Sequence, residues 1–155
     1  MRDTDAELVK IHIDLTGNAD SGGEAMWAKA LGGDLYEVRN IPFHAYGLNW
    51  LDVVKAVELQ PDQKPSITDV VQRSGHRTIW LTFAGSTPAS DRLALAKQLN
   101  VWKAYYENAD GRYFAVDVEP DGLYEEVIKH IETWRLSGVL EQYRLGPFSS
   151  DVRKA

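Results

Sequence analysis

"HRTIWLTFAGSTPASDRLALAKQL" (His76–Leu99) changes its period halfway. Its first eight residues are rich in β-branched and aromatic side chains, which suits a strand. "AGSTPASD" then opens a helix. Thr87 is placed to cap it, Pro88 fits the first helical position, and Asp91 suits the positive end of the helix dipole. Leu95, Leu99 and Trp102 follow at i, i+4 and i+7, one apolar stripe.

Downstream, "VWKAYYEN" and "RYFAVDVEP" read as strands joined across Ala109-Asp110-Gly111, a hairpin signal. "DGLYEEVIKHIETWRLSG" reads as a helix. Leu123, Val127, Ile131 and Trp134 recur at helical spacing, and Gly138 sits where a left-handed residue ends a helix. "LEQYRLG" closes with a short strand. The order β-α-β-β-α-β predicts a ferredoxin-like unit, two helices on one face of a four-stranded antiparallel sheet.

Upstream the rhythm is that of strands. "VKIHIDL" (Val9–Leu15) alternates apolar and polar residues. "EAMWAKALGGDLYEVRN" predicts two strands hinged at Gly32-Gly33, and "WLDVVKAVEL" and "SITDVVQRS" add two more. About five strands without a helix predict a small bent sheet or SH3-like barrel. The fold class is therefore α+β, with a β-rich subdomain over residues 1–75 and a ferredoxin-like subdomain over 76–155. "QRSGH" joins them with no flexible linker, so rigid packing is expected.

The 155 residues carry a net charge of -6, sixteen aromatic rings and no cysteine. Disulfides and thiolate chemistry are excluded. The charged opening "MRDTDAELVK" is expected not to be a secretion signal, and no apolar run is long enough to span a membrane, so a cytoplasmic protein is expected. Residues 1–75 hold seven basic and twelve acidic side chains, whereas 76–155 hold ten and eleven. An acidic first half would repel nucleic acid and attract a basic protein.

Catalytic signatures are sparse. His12, His44, His76 and His130 lie at no metal-ligand spacing, so no metal or cofactor is expected. "RSGH" (Arg73–His76) holds a serine and a histidine, but neighbours in sequence do not make a relay; a bend at Gly75 is the simpler reading. "GSTPAS" (Gly85–Ser90) starts a helix, so Ser86 and Thr87, with Arg73 and His76, form a candidate anion or ligand site. Asp117 and Glu119 would share one face of a strand, expected to be solvated. The basic-aromatic pattern of RNA-binding sheets is absent. In "NIPFHAYGLNW" (Asn40–Trp50), Pro42 and Gly47 constrain an aromatic loop. Phe43, His44, Tyr46 and Trp50 are its candidate partner-binding residues, with Phe43 and Trp50 also suited to plug the barrel.

"VKIHIDL", "MWAKALGGDLYEVRNIPFHAYGLNWLDVVKA", "VVQRSGHRTIWLTF", "RYFAVDVEP" and "GVLEQY" together resemble a bacterial family known only as domain of unknown function 4265. The resemblance spans roughly residues 9–145. Its most specific piece is L-Y-x-V-x-N-I-P-F-x-A-Y-G. It implies a small, standalone, cytoplasmic bacterial protein, and no catalytic residues come with it.

The expected function is a non-enzymatic, protein-binding inhibitor resembling immunity proteins or antitoxins, neutralising a basic, toxin-like partner. The alternative is a small-molecule-binding regulatory module. An enzyme would need His44, Tyr46, Arg73 and His76 to converge.

Overall fold

Met26, Ala28, Val54 and Ala56 alternate with outward-facing neighbours along their strands, and that alternation closes a barrel. The structure is a computed structural model describing residues 7–15, 23–61 and 63–147. The barrel comprises β1 (Leu8–Ile13), β2 (Glu24–Gly32), β3 (Leu35–Val38), β4 (Val53–Val57) and β5 (Ser66–Gln72). Neighbours in sequence pair antiparallel, and a parallel contact between β1 and β5 closes the ring. Gly32 and Gly33 take positive φ in the β2–β3 turn, where a side chain would be strained. Register shifts between β4 and β5 bend the ring.

The second half contains β6 (Arg77–Phe83), α1 (Ala89–Gln98), β7 (Ala104–Asn108), β8 (Tyr113–Val118), α2 (Tyr124–Leu136) and β9 (Leu140–Leu145). Its sheet runs β7-β8-β6-β9, every pair antiparallel. Ile79, Leu81 and Phe83 of β6 pack with Phe114, Val116 and Val118 of β8 against Val127, Ile131 and Trp134 of α2. The mixed α+β class and the strand positions match expectation.

Several details differ. α1 begins at Ala89, with Pro88 at the cap position. Thr87 does not cap it, because its hydroxyl donates to the Val139 carbonyl at 2.9 Å. The predicted stripe is split: α1 stops at Gln98, and Leu99–Trp102 forms a 3-10 turn ended by Lys103 at φ +58°. Val101 and Trp102 therefore precede β7 rather than lie in it. Leu123 sits just ahead of α2 and is 56% exposed. Asp117, expected on a solvated face, is completely buried.

The reason is what covers the sheet's second face. The connector from Arg39 to Asp52, between β3 and β4, lies across it. Ile41 and Trp50 pack on Trp80 and Ala115, with Phe43, Leu51 and Tyr113 around them. β6 and β8 are thus covered on both sides, which is why "TIWLTF" and "FAVDV" lack polar alternation. Leu51 takes φ +65°, a conformation costing a non-glycine residue about 1–2 kcal/mol. Its N–H donates to the Val38 carbonyl and its side chain packs in the seam.

Because one seam is shared, barrel and sheet are expected to unfold in one cooperative transition. Trp80→Ala should destabilise both by about 3–5 kcal/mol. Urea melts followed by amide signals from β2 and from β8 check this; a barrel outlasting the sheet would contradict it.

Candidate functional site

Two sets of polar groups meet at the junction. The first is a buried network. The Asp52 carboxylate accepts from the Asn49 N–H at 2.9 Å, the Arg73 guanidinium at 2.8 Å and the Ser74 N–H at 2.9 Å. Arg73, whose side chain is 1% exposed, also donates to the Gly47 carbonyl at 2.5 Å. Asn49 Oδ1 accepts both the N–H and the hydroxyl of Thr78, at 3.0 and 2.7 Å. His76 Nδ1 faces the two Asp117 oxygens at 2.8 and 3.0 Å. Gly75, at φ +95°, makes the bend between Ser74 and His76.

Serine, histidine and aspartate are all present here, but they are wired for cohesion. The Ser74 hydroxyl donates to the Trp50 carbonyl at 2.5 Å and accepts the backbone N–H of His76 at 3.1 Å. Its proton is not directed at an imidazole nitrogen, as nucleophile activation requires. A buried carboxylate needs this many donors, since losing water costs several kcal/mol per ion.

The second set lines an open cleft of about 280 Å³ at the edge of the connector, on the part of the sheet's second face that it leaves open. Strand register builds it. Trp80 stands opposite Arg144, and Thr82 opposite both Gln142 and Tyr113. Tyr46 overhangs from the connector. Its ring meets Trp80 edge-on at 4.7 Å, lies 4.3 Å beneath the Arg144 guanidinium, and its hydroxyl is 3.2 Å from that of Tyr113. The Tyr113 hydroxyl donates to the Phe43 carbonyl at 2.5 Å, and His44 stacks on the Tyr113 ring at 5.4 Å. Burial first, then the hydrogen bond with Tyr46, pushes the Tyr113 phenol well above its ordinary range.

Glu24 fixes the overhang. Its carboxylate accepts the backbone N–H groups of Phe43, His44 and Ala45 at 2.8, 2.9 and 2.8 Å. Trp80 pins the same loop by donating from Nε1 to the Pro42 carbonyl at 2.8 Å.

The predicted residues separate accordingly. His44 and Tyr46 are exposed around the cleft, while Phe43 is half-buried and Trp50 buried in the seam. Arg73 and His76 belong to the buried network. Ser86 is exposed ahead of α1, and Thr87 is buried against Val139. His44 and Tyr46 therefore sit in a different set from Arg73 and His76. Among the described residues no cluster of three or more His, Asp or Glu side chains could hold a metal ion. Sequence reading missed Glu24, Asn49 and Asp52 in the loop supports, and Thr82, Gln142 and Arg144 in the cleft. Asp52, standing between the apolar pairs "WL" and "VV", was the one visible signal.

Glu24→Ala should cost about 1–3 kcal/mol by stranding three donors. Hydrogen exchange should accelerate most at Phe43, His44 and Ala45, and little in β8. The raised Tyr113 pKa has a defined sign. Its stabilising effect is complete below the unfolded value of about 10 and is lost as pH climbs through the folded value. Stability should thus fall above pH ~10, and Tyr113→Phe should flatten that limb of a denaturation-versus-pH curve.

No curated protein matches the sequence. The fold is similar to the crystal structure of a hypothetical protein from Neisseria gonorrhoeae, with a TM-score of 0.74 and 16% identity, over 92% of this chain and 96% of that one. At that identity the likeness concerns the fold alone. The sequence model of one family, Domain of unknown function (DUF4265), matches residues 24–142. That span runs from Glu24 into β9 and takes in the connector, the buried network and most of the cleft, and the chain belongs to this family.

Proposed function

We propose that the chain is a non-enzymatic binding protein that neutralises a partner protein by covering it, in the manner of an immunity protein or antitoxin. One observation carries the reading: Tyr46 is 38% exposed yet held from three sides, by Trp80, Tyr113 and Arg144. An aromatic ring fixed before docking loses little entropy on binding, which is what an interface anchor requires. His44 extends the same exposed edge. The net charge of -6 favours a basic partner and speeds encounter with it in a cytoplasmic setting.

The finer architecture in this reading is an SH3-like barrel followed by a ferredoxin-like unit. The strand order β7-β8-β6-β9, with one helix after β6 and one after β8, supports the second.

A regulatory module for a small ligand is the second reading, favoured by the size of the cleft and its polar lining.

The test is co-purification followed by kinetics. A single basic partner should bind, its association rate should fall steeply with added salt, and Tyr46→Ala should weaken the complex by at least about tenfold. A salt-independent rate, or affinity unchanged by Tyr46→Ala in a variant with wild-type circular dichroism, would overturn the reading.

A further inference from the structure

The cleft has an unbalanced supply of hydrogen-bonding groups. Tyr113 spends its single proton on the Phe43 carbonyl, so Tyr46 must donate to Tyr113 where their hydroxyls meet. Neither phenol has a donor left for a ligand. Glu24, the carboxylate beneath this loop, has both oxygens occupied by backbone N–H groups. The neighbouring Glu141 is paired with Arg112 at 2.7 Å.

The remaining lining groups are chiefly donors. Among the described residues, the Thr82 hydroxyl, the Gln142 amide and the Arg144 guanidinium take part in no hydrogen bond or ion pair; Arg144 makes only its ring contact with Tyr46. All three lie on one face of adjacent strands. Gln142 and Arg144 are two residues apart on β9, roughly 7 Å, and Thr82 faces Gln142 across the pair. A planar, permanently charged fork therefore stands beside two neutral polar groups, with the rings of Tyr46, Trp80 and Tyr113 as the apolar wall.

We propose that this cleft binds a carboxylate attached to a flat or apolar body. The carboxylate pairs with Arg144 through two parallel N–H···O bonds, its oxygens are within range of Thr82 and Gln142, and the body lies along the aromatic wall. Guanidinium stacked on Tyr46 is held in orientation before the ligand arrives, so the bidentate geometry costs little further ordering. The volume of about 280 Å³ suits a group the size of one aromatic amino acid rather than a folded element. The same chemistry is offered by a free aromatic acid and by the C-terminal carboxylate of a peptide. This inference rests on the cleft being the docking site, but it concerns Arg144, whereas the protein-neutralising reading rests on Tyr46.

The experiment is a two-dimensional NMR titration of the full chain with phenylacetate, phenylacetamide, N-acetylphenylalanine and its amide, and inorganic phosphate. The two acids should shift the indole N–H of Trp80 and the amides of Thr82, Gln142 and Arg144. The two amides should leave them in place. Arg144→Gln should weaken the acids at least tenfold, and Arg144→Lys should recover only part of that, because a lysine supplies charge without the fork. Tighter binding of N-acetylphenylalanine than phenylacetate assigns the site to a peptide terminus, and the reverse assigns it to a free acid. Equal response to acids and amides, equal response to phosphate alone, or acids unaffected by Arg144→Gln would overturn the proposal. A partner protein that still depends on Tyr46 but not on Arg144 would then leave the protein-binding reading standing.

Discussion

The Asp52 carboxylate is completely buried, and the rest of the molecule is arranged around the donors that satisfy it. One comes from Asn49 in the connector, one from Arg73 after β5, and one from the backbone of Ser74. Those three groups belong to the two ends of the barrel's last hairpin and to the chain leaving it. Satisfying one carboxylate thus fixes where the connector returns to the barrel and where β6 departs from it. Asn49, held in place by Asp52, then presents Oδ1 to Thr78 and docks the connector on the sheet. Such a network is worth little as a source of net stability, since desolvation offsets most of its attraction. Its role is directional: an apolar seam alone would allow sliding, and hydrogen bonds with fixed partners do not.

The connector is the element on which sequence and structure part most clearly. Its aromatic richness was legible in "NIPFHAYGLNW", as was its constraint by Pro42 and Gly47. What could not be read was the surface it covers. Period-two reasoning assigns each strand one wet and one dry face, and on that rule Asp117 belongs in water. The rule fails on β8 because a segment some seventy residues earlier in the chain lies over the second face. The succession of strands and helices along the second half was readable because its signals are local: hairpin residues, helical stripes, a terminal glycine. Barrel closure was less so, since the parallel contact of β1 with β5 rests on the single pair His12 and Ser66, which no periodicity encodes.

The cleft was illegible for a related reason. Thr82, half-buried on β6, and Gln142 and Arg144, exposed on β9, lie in two separate stretches of sequence, and none of them stands out there. Only strand register places them side by side. Tyr46 was legible as one of the partner-binding candidates of the constrained loop, and it stands exposed over the cleft; its neighbours there carried no local signal. Arg73 and His76 show the converse. They were expected, with Ser86 and Thr87, to offer an anion or ligand site, and they lie buried against Asp52 and Asp117.

Glu24 has a consequence for how the aromatic loop behaves in different surroundings. Three successive amide groups converging on one point form a receptor that chloride, sulfate or acetate would otherwise fill. Here the chain brings its own counter-ion, tethered at high local concentration. The loop's shape is thereby insulated from the salt composition of the medium. Its aromatic edge is set by the polypeptide itself, whatever anions the solution contains.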